Sequence, residues 1–466
     1  MNDEGLGAQQ KALHINLDAQ VHGTFAEIGA GQEVARWFFQ AGKASATVAK
    51  SISAYDMAVS DAIYGATPRY VSRPRLEAML DHEYAEVAGR AAAKPEVTTR
   101  LFAFADTIAT HTSGRKEAGH GWMGVRFQAE PGAEPSEIII HLVMLDVPTL
   151  HQQEAVGLAG VNLLYAAFFH RDDPAGLIGT LLEGLGRKRL EIDMIRLSGP
   201  AFAGVDNRLM SLQLVERGLT DAVMFTAQGE VVQPGEVLWQ KRVVIERGSF
   251  RPLTNVTRDM IDRAMQQLEA DFGPAPNRMV IMEMTLNNLM SEGRIDHADF
   301  LARADILGAL GYNVIISTYT TFDRVTQYLR QYTHEHIGMV VGVPTLTQIL
   351  DEKYYTDLEG GLLEGLGRLF AGVVKLLVYP TMAAGADAVV TADTVEVPVN
   401  LHHLYSHLRE NGFIEPIRSF EKLDLRVSPA EVLTKIQAND PAWENLVPAE
   451  AARIIKEKHL FAAPPG

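Results

Sequence analysis

The sequence predicts an α/β protein built from two tandem Rossmann-like units with mostly parallel sheets, related by internal duplication. An amino-terminal α/β segment precedes them and a short helical tail follows. Three observations carry the prediction. Apolar runs of strand length alternate with helical stretches. Glycines and prolines punctuate them as turns. Finally, short matches recur in the same order in the two halves, the mark of a repeated unit.

Val147-Pro148-Thr149-Leu150 reappears as Val343-Pro344-Thr345-Leu346, and Leu181-Leu182-Glu183-Gly184-Leu185-Gly186-Arg187 recurs unchanged from Leu362 to Arg368. Asp221-Ala222-Val223 matches Asp387-Ala388-Val389, and the Glu246, Gly248, Pro252 spacing matches Glu410, Gly412, Pro416.

Residues 1–95 form the amino-terminal domain in this reading. In the first unit, 96–272, the run Glu137 to Leu145 is mostly apolar, as in a strand covered on both faces. Pro148 has no N–H to continue a ladder, and Thr149 suits a helix cap. The helix that follows stops at Gly184 and Gly186. Strand 190–197, helix 205–217 and strand 221–226 complete the unit. Gly273-Pro274-Ala275-Pro276 turns the chain into the second unit, 273–420. There strand 337–342, a helical region to Arg368, and strands 372–379 and 387–391 are expected. The tail, 421–466, reads as two helices, each opened by a proline.

Composition narrows the chemistry. The chain has no cysteine, which excludes disulfides, thiolate metal sites and cysteine nucleophiles. Its net charge of -16 makes nucleic acid and anionic membrane poor partners. The polar amino terminus lacks the pattern of a secretory signal, so a soluble cytoplasmic protein is expected.

Ligands of parallel sheets bind at the carboxyl ends of the strands, where Thr149 and Thr345 fall. Gly29 and Gly31, followed by Gln32, lead into a helix and could let an anion approach its free N–H groups. The third glycine of a dinucleotide fingerprint is replaced by Val34. Lys43, Lys50, Ser53 and Tyr55 follow in a small-residue segment that could close over a phosphate; close helix packing explains the small residues equally well. His120, between Gly119 and Gly121, is the most site-like histidine, and Glu27 and Asp206 complete the acid–base candidates. Capping of the next helix is the competing role for Asp206. His403 and His407 share a helix face but have no third metal ligand.

Met279 to Leu286 resembles the opening strand of a haloacid-dehalogenase-type phosphatase. Ile281 stands at the nucleophile position while Glu283 and Thr285 remain, which excludes aspartyl-phosphate chemistry. Over most of its length the chain resembles an uncharacterised bacterial protein family. Ile15-Asn16-Leu17-Asp18, Phe25 to Phe39, Thr47 to Met57 and Val205 to Leu212 carry that likeness. Its members are often labelled TonB-dependent receptor or nicotinate-nucleotide adenylyltransferase. The receptor label implies barrel strands that the sequence lacks. The transferase label implies a His-x-Gly-His motif, whose nearest counterpart here is Glu117-Ala118-Gly119-His120. The expectation is a protein that binds or acts on a nucleotide or other small phosphorylated metabolite and forms a homo-oligomer, with its cofactor unknown. The alternative is a non-catalytic, filament-forming assembly protein.

Overall fold

The structure is a computed structural model that describes residues 5–92, 98–111, 118–291, 293–383, 388–420 and 425–461. It is α/β throughout, with two compact units that meet in sequence between Asp221 and Ala222. The strand over 100–109 lies against that over 21–28, so residues before and after 95 share one sheet. The boundary expected near 273 also falls inside a unit. Parallel partners need a long crossover, and a break in composition does not reveal which strands such a crossover joins.

The first unit holds β1 (Val21–Ile28), β2 (Val48–Ile52), β3 (Arg100–Ala109), β4 (Gly119–Phe127), β5 (Ser136–Met144) and β6 (Leu190–Ser198), in the order β2-β1-β3-β4-β5-β6. The first three strands are parallel and the rest pair antiparallel. Their near-continuous apolar character follows from cover on both faces. Phe25 packs on Phe38 of α2 (Glu33–Ala41), and α4 (Thr149–Phe169) lies on the same face. The opposite face carries α3 (Arg73–Ala92), whose Glu83 meets Thr24. No helix among the described residues is long and apolar enough to cross a membrane.

The second unit is the Rossmann half. Its strands are β7 (Ala222–Phe225), β8 (Val231–Val232), β9 (Arg242–Arg247), β10 (Arg278–Thr285), β11 (Asn313–Ser317), β12 (Ile337–Gly342), β13 (Val374–Tyr379) and β14 (Ile414–Pro416). The order is β14-β13-β12-β9-β10-β11-β7-β8. The six strands from β14 to β11 are all parallel, and β7 and β8 add an antiparallel edge. From β9 the chain winds outward one way to β11, then returns to β12 and winds the other way to β14. This is the doubly wound dinucleotide-fold order, with its switch point between β9 and β12. The tail, with helices Pro429–Gln437 and Ala449–Lys458, buries Val432, Trp443 and Ile455 against Ile306 of helix His297–Ala309.

The ordered sequence matches do not mark equivalent elements. β5 and β6 pair antiparallel, whereas their counterparts β12 and β13 pair parallel. Leu181–Arg187 forms turns, but Leu362–Arg368 lies within helix Gly361–Leu369. The Glu246 match ends a strand, and the Glu410 match ends a helix. Asp387 lies outside the described residues. Only the Val-Pro-Thr matches play the same part, each opening a helix directly after a strand.

Candidate functional site

Because β5 runs parallel to β3, and β4 and β6 run against them, one edge of the first sheet collects the ends of β1, β2, β3 and β5 with the starts of β4 and β6. Gly29, Gly31, Gln32, Ser53, Tyr55, His120 and Thr149 all fall at this edge. Gly29 is obligatory there: its φ is 103°, and a Cβ would stand 1.8 Å from the carbonyl oxygen of Ile108. Gln32 donates to Ser51 Oγ at 3.3 Å, tying the turn to the end of β2.

Other expected residues have different roles. The amides at the start of α2 are occupied by Glu27, whose carboxylate accepts from Val34 N at 2.8 Å and Ala35 N at 3.0 Å. The helix start that could have received an anion is therefore already occupied by a carboxyl group. Lys43 lies exposed after α2, at the amino edge of the sheet. Lys50 is tied to Glu83 at 2.7 Å and to Glu86. That ammonium also supplies the positive charge in the one convergent group of metal-type side chains among the described residues, His82, Glu83 and Glu86. Asp206 caps the helix Asn207–Glu216 at the opposite edge and pairs with Arg208 at 2.7 Å. Thr345 belongs to the other unit. Glu117 lies outside the described residues.

Two buried clusters meet this edge from opposite faces. On the α2 face, Glu27 stands in register with Asp106 of β3. Burial, outweighing the two amide bonds, pushes Glu27 up to about 7. Asp106 is raised well above the usual carboxylate range by burial and then by Glu27, and neither of its oxygens has a hydrogen-bond partner. On the α3 face, Asp193 Oδ1 lies 2.6 Å from His141 Nδ1, and His141 lies 3.2 Å from His120 Nδ1. Asp193 and His141 are buried, and Trp122 packs on His141 with ring centroids 4.8 Å apart. Sequence reading missed Asp106, His141 and Asp193. Their signal was a polar residue inside an otherwise apolar strand, as in Ile139-Ile140-His141-Leu142.

The second unit places its polar groups differently. Glu283 of β10 receives both Nε and Nη2 of Arg247, at 2.8 and 2.9 Å, and the Ser317 hydroxyl at 2.7 Å. Arg247 also covers the Phe322 ring at 4.4 Å. Ile281 is fully buried and offers no nucleophile. Glu246 is buried, its Oε2 has no partner, and burial holds its carboxyl well above the usual range. β9 and β12 pair Val244 with Gly338 and Glu246 with Val340. Continuing that register sets Gly248 level with Gly342 at the switch point. The helix α6 (Asn255–Phe272) starts beyond this point, capped by Thr254 through the Thr257 amide. His403 and His407 are exposed on helix His402–Glu410.

No family model and no curated protein matches the chain. Solved structures resemble about a third of it. The competence/damage-inducible protein CihA from Agrobacterium tumefaciens is 17% identical, over 34% of this chain and 94% of that one, with a TM-score of 0.26. A competence-damaged protein (CinA) superfamily protein from Enterobacter cloacae is 14% identical, over 36% and 95%, with a TM-score of 0.27. A competence or damage-inducible protein from Enterobacter asburiae is 14% identical, over 35% and 98%, also with a TM-score of 0.27.

Proposed function

We propose that the second unit binds a nucleotide or another small phosphorylated metabolite in the crevice between the carboxyl ends of β9 and β12. The observation that carries this reading is the strand order, which reverses direction between those strands and leaves Gly248 level with Gly342. A crevice at a switch point is where parallel α/β sheets take ligands. Gly342 leaves its side of the rim without a side chain, so a ligand can come close there, while the Phe250 ring packs against Gly248. The phosphate faces the start of α6, where the Thr254 cap uses the Thr257 amide and the helix dipole favours negative charge.

The test is a thermal-shift screen of the full chain against inorganic phosphate, nucleoside mono- and diphosphates and sugar phosphates. A ligand at about a hundred times its Kd adds roughly 2.7 kcal/mol of stability, a rise of several degrees. Gly342→Val abolishes the shift without unfolding the unit, because the nearest atom to an added Cβ is Pro344 Cδ at 3.6 Å. No shift from any of these ligands refutes the reading.

A second reading, assembly through like copies, is favoured by Leu145, Val147 and Leu150. They lie close together in sequence at the first unit's carboxyl edge and are 42%, 76% and 70% exposed. Light scattering that reports a monomer removes it.

A further inference from the structure

We propose that the carboxyl edge of the first unit is an acid–base site, in which His120 takes a proton from a small anionic substrate held by Arg69. The proposal is independent of any ligand in the second unit.

The hydrogen bonds fix which nitrogen is available. Asp193 is acceptor-only when ionised, so His141 donates its Nδ1 proton along the 2.6 Å contact. With its imidazole neutral, His141 has a lone pair on Nε2, and His120 donates its own Nδ1 proton to it at 3.2 Å. One lone pair is left over, on His120 Nε2. His120 is the only partly exposed member of the chain, and it sits at the edge where β4 begins.

Arg69 supplies the charge. The segment carrying it is pinned over this face of the sheet: Thr107 of β3 donates to the Tyr70 carbonyl at 2.7 Å, and Ser72 donates to the Arg69 carbonyl at 2.7 Å. The Arg69 side chain is exposed and has no hydrogen-bond or ion-pair partner among the described residues. Its field reaches His120. A guanidinium with no described partner, on a segment tied to the sheet face that carries His120, suits a substrate with a carboxylate or phosphate at one end and an acidic O–H or N–H at the other.

The step balances without a further reagent. The substrate's X–H bond breaks, its electron pair stays on X, and the proton joins His120 Nε2. The Nδ1 proton of His120 can then pass to His141 Nε2, so the positive charge comes to rest beside Asp193. The reverse transfer returns the proton to X. His141 and Asp193 are positioning residues in this scheme, since neither reaches the edge.

Among the described residues, the groups facing His120 are His141 from β5, Asp193 from β6 and Arg69 from the segment before α3. Burial first and His141 second hold the His120 imidazole down to about 4, while Asp193 opposes them. His120 is therefore a neutral base at neutral pH. The three side chains meet in successive pairs, and the one group among the described residues that converges as metal ligands do lies elsewhere.

Long-range proton–nitrogen NMR of the histidines in the full chain tests the proposal, with inorganic phosphate as the probe. The expected spectrum has His120 protonated on Nδ1 and bare on Nε2. Phosphate then shifts Nε2 saturably, and Arg69→Ala weakens that binding by roughly tenfold or more while leaving the tautomer unchanged. His141→Gln moves the His120 titration midpoint upward, and Asp193→Asn moves it downward. A His120 protonated on Nε2 overturns the proposal. So does a phosphate response that Arg69→Ala leaves intact, or midpoints that neither substitution moves.

Discussion

The same seven residues, Leu-Leu-Glu-Gly-Leu-Gly-Arg, fold as turns at 181–187 and as helix at 362–368. In the first unit Asn162 donates to the carbonyls of Leu181 and Glu183, at 3.1 and 2.9 Å, and the buried Lys11 ammonium reaches Glu183 at 2.5 Å. These distant partners hold the backbone open. In the second unit the equivalent Glu364 turns to local ones, accepting from Gly360 N at 2.8 Å and pairing with Arg368 at 2.5 Å. The buried acids differ in the same way. Glu27 of the first unit stands beside another acid, Asp106, whereas Glu283 of the second receives an arginine fork. In both cases the partner brought in by the fold decides the outcome.

The largest effect expected from breaking these contrasts is at the arginine fork. Glu283→Ala strands the Arg247 guanidinium in a mostly buried site and costs about 3–5 kcal/mol, measured by urea unfolding. Glu283→Gln, which keeps the shape and one acceptor, costs less.

The acid pair is next. The Glu27 carboxyl is raised from 4.5 to about 7 in the folded chain. The folded state therefore binds its proton more tightly than the unfolded state does. That contribution is complete below about pH 4.5 and is lost as pH rises through about 7, a change of roughly 3 kcal/mol. Glu27→Gln flattens this slope. A slope unaltered by the substitution contradicts the assignment.

Asn162→Ala removes both carbonyl partners of the first heptapeptide and one acceptor of Lys11. It is expected to cost about 2–3 kcal/mol by the same unfolding assay. The smallest effect has the sharpest sign. Gly186 has φ 69° and Gly367 is helical with open space around an added Cβ. Gly186→Ala should destabilise by about 1 kcal/mol, while Gly367→Ala stabilises by roughly 0.5–1 kcal/mol. Equal signs at the two positions would mean that the heptapeptide adopts one structure.

This contrast also explains what the sequence made legible. The α/β class and most strand positions follow from apolar runs of the right length, as over 337–342 and 374–379. The pairing partners do not. Nothing local distinguishes β12 and β13, which pair parallel, from β5 and β6, which pair antiparallel, because direction is set by the crossovers. At the site, Gly29 and His120 were legible because glycines beside a polar residue are a local signal. His141 and Asp193 each look like a blemish in an apolar strand until the sheet sets them side by side. Lys50 read as an anion ligand because its partners Glu83 and Glu86 lie on a later helix.

Isothermal titration of the full chain with the phosphorylated ligand that gives the largest thermal shift tests the binding assignment most directly. A component of the binding heat is predicted to be lost in Gly342→Val and unchanged in His120→Gln. Heat that Gly342→Val leaves whole, or that disappears entirely in His120→Gln instead, would place the ligand outside the switch-point crevice and contradict the account.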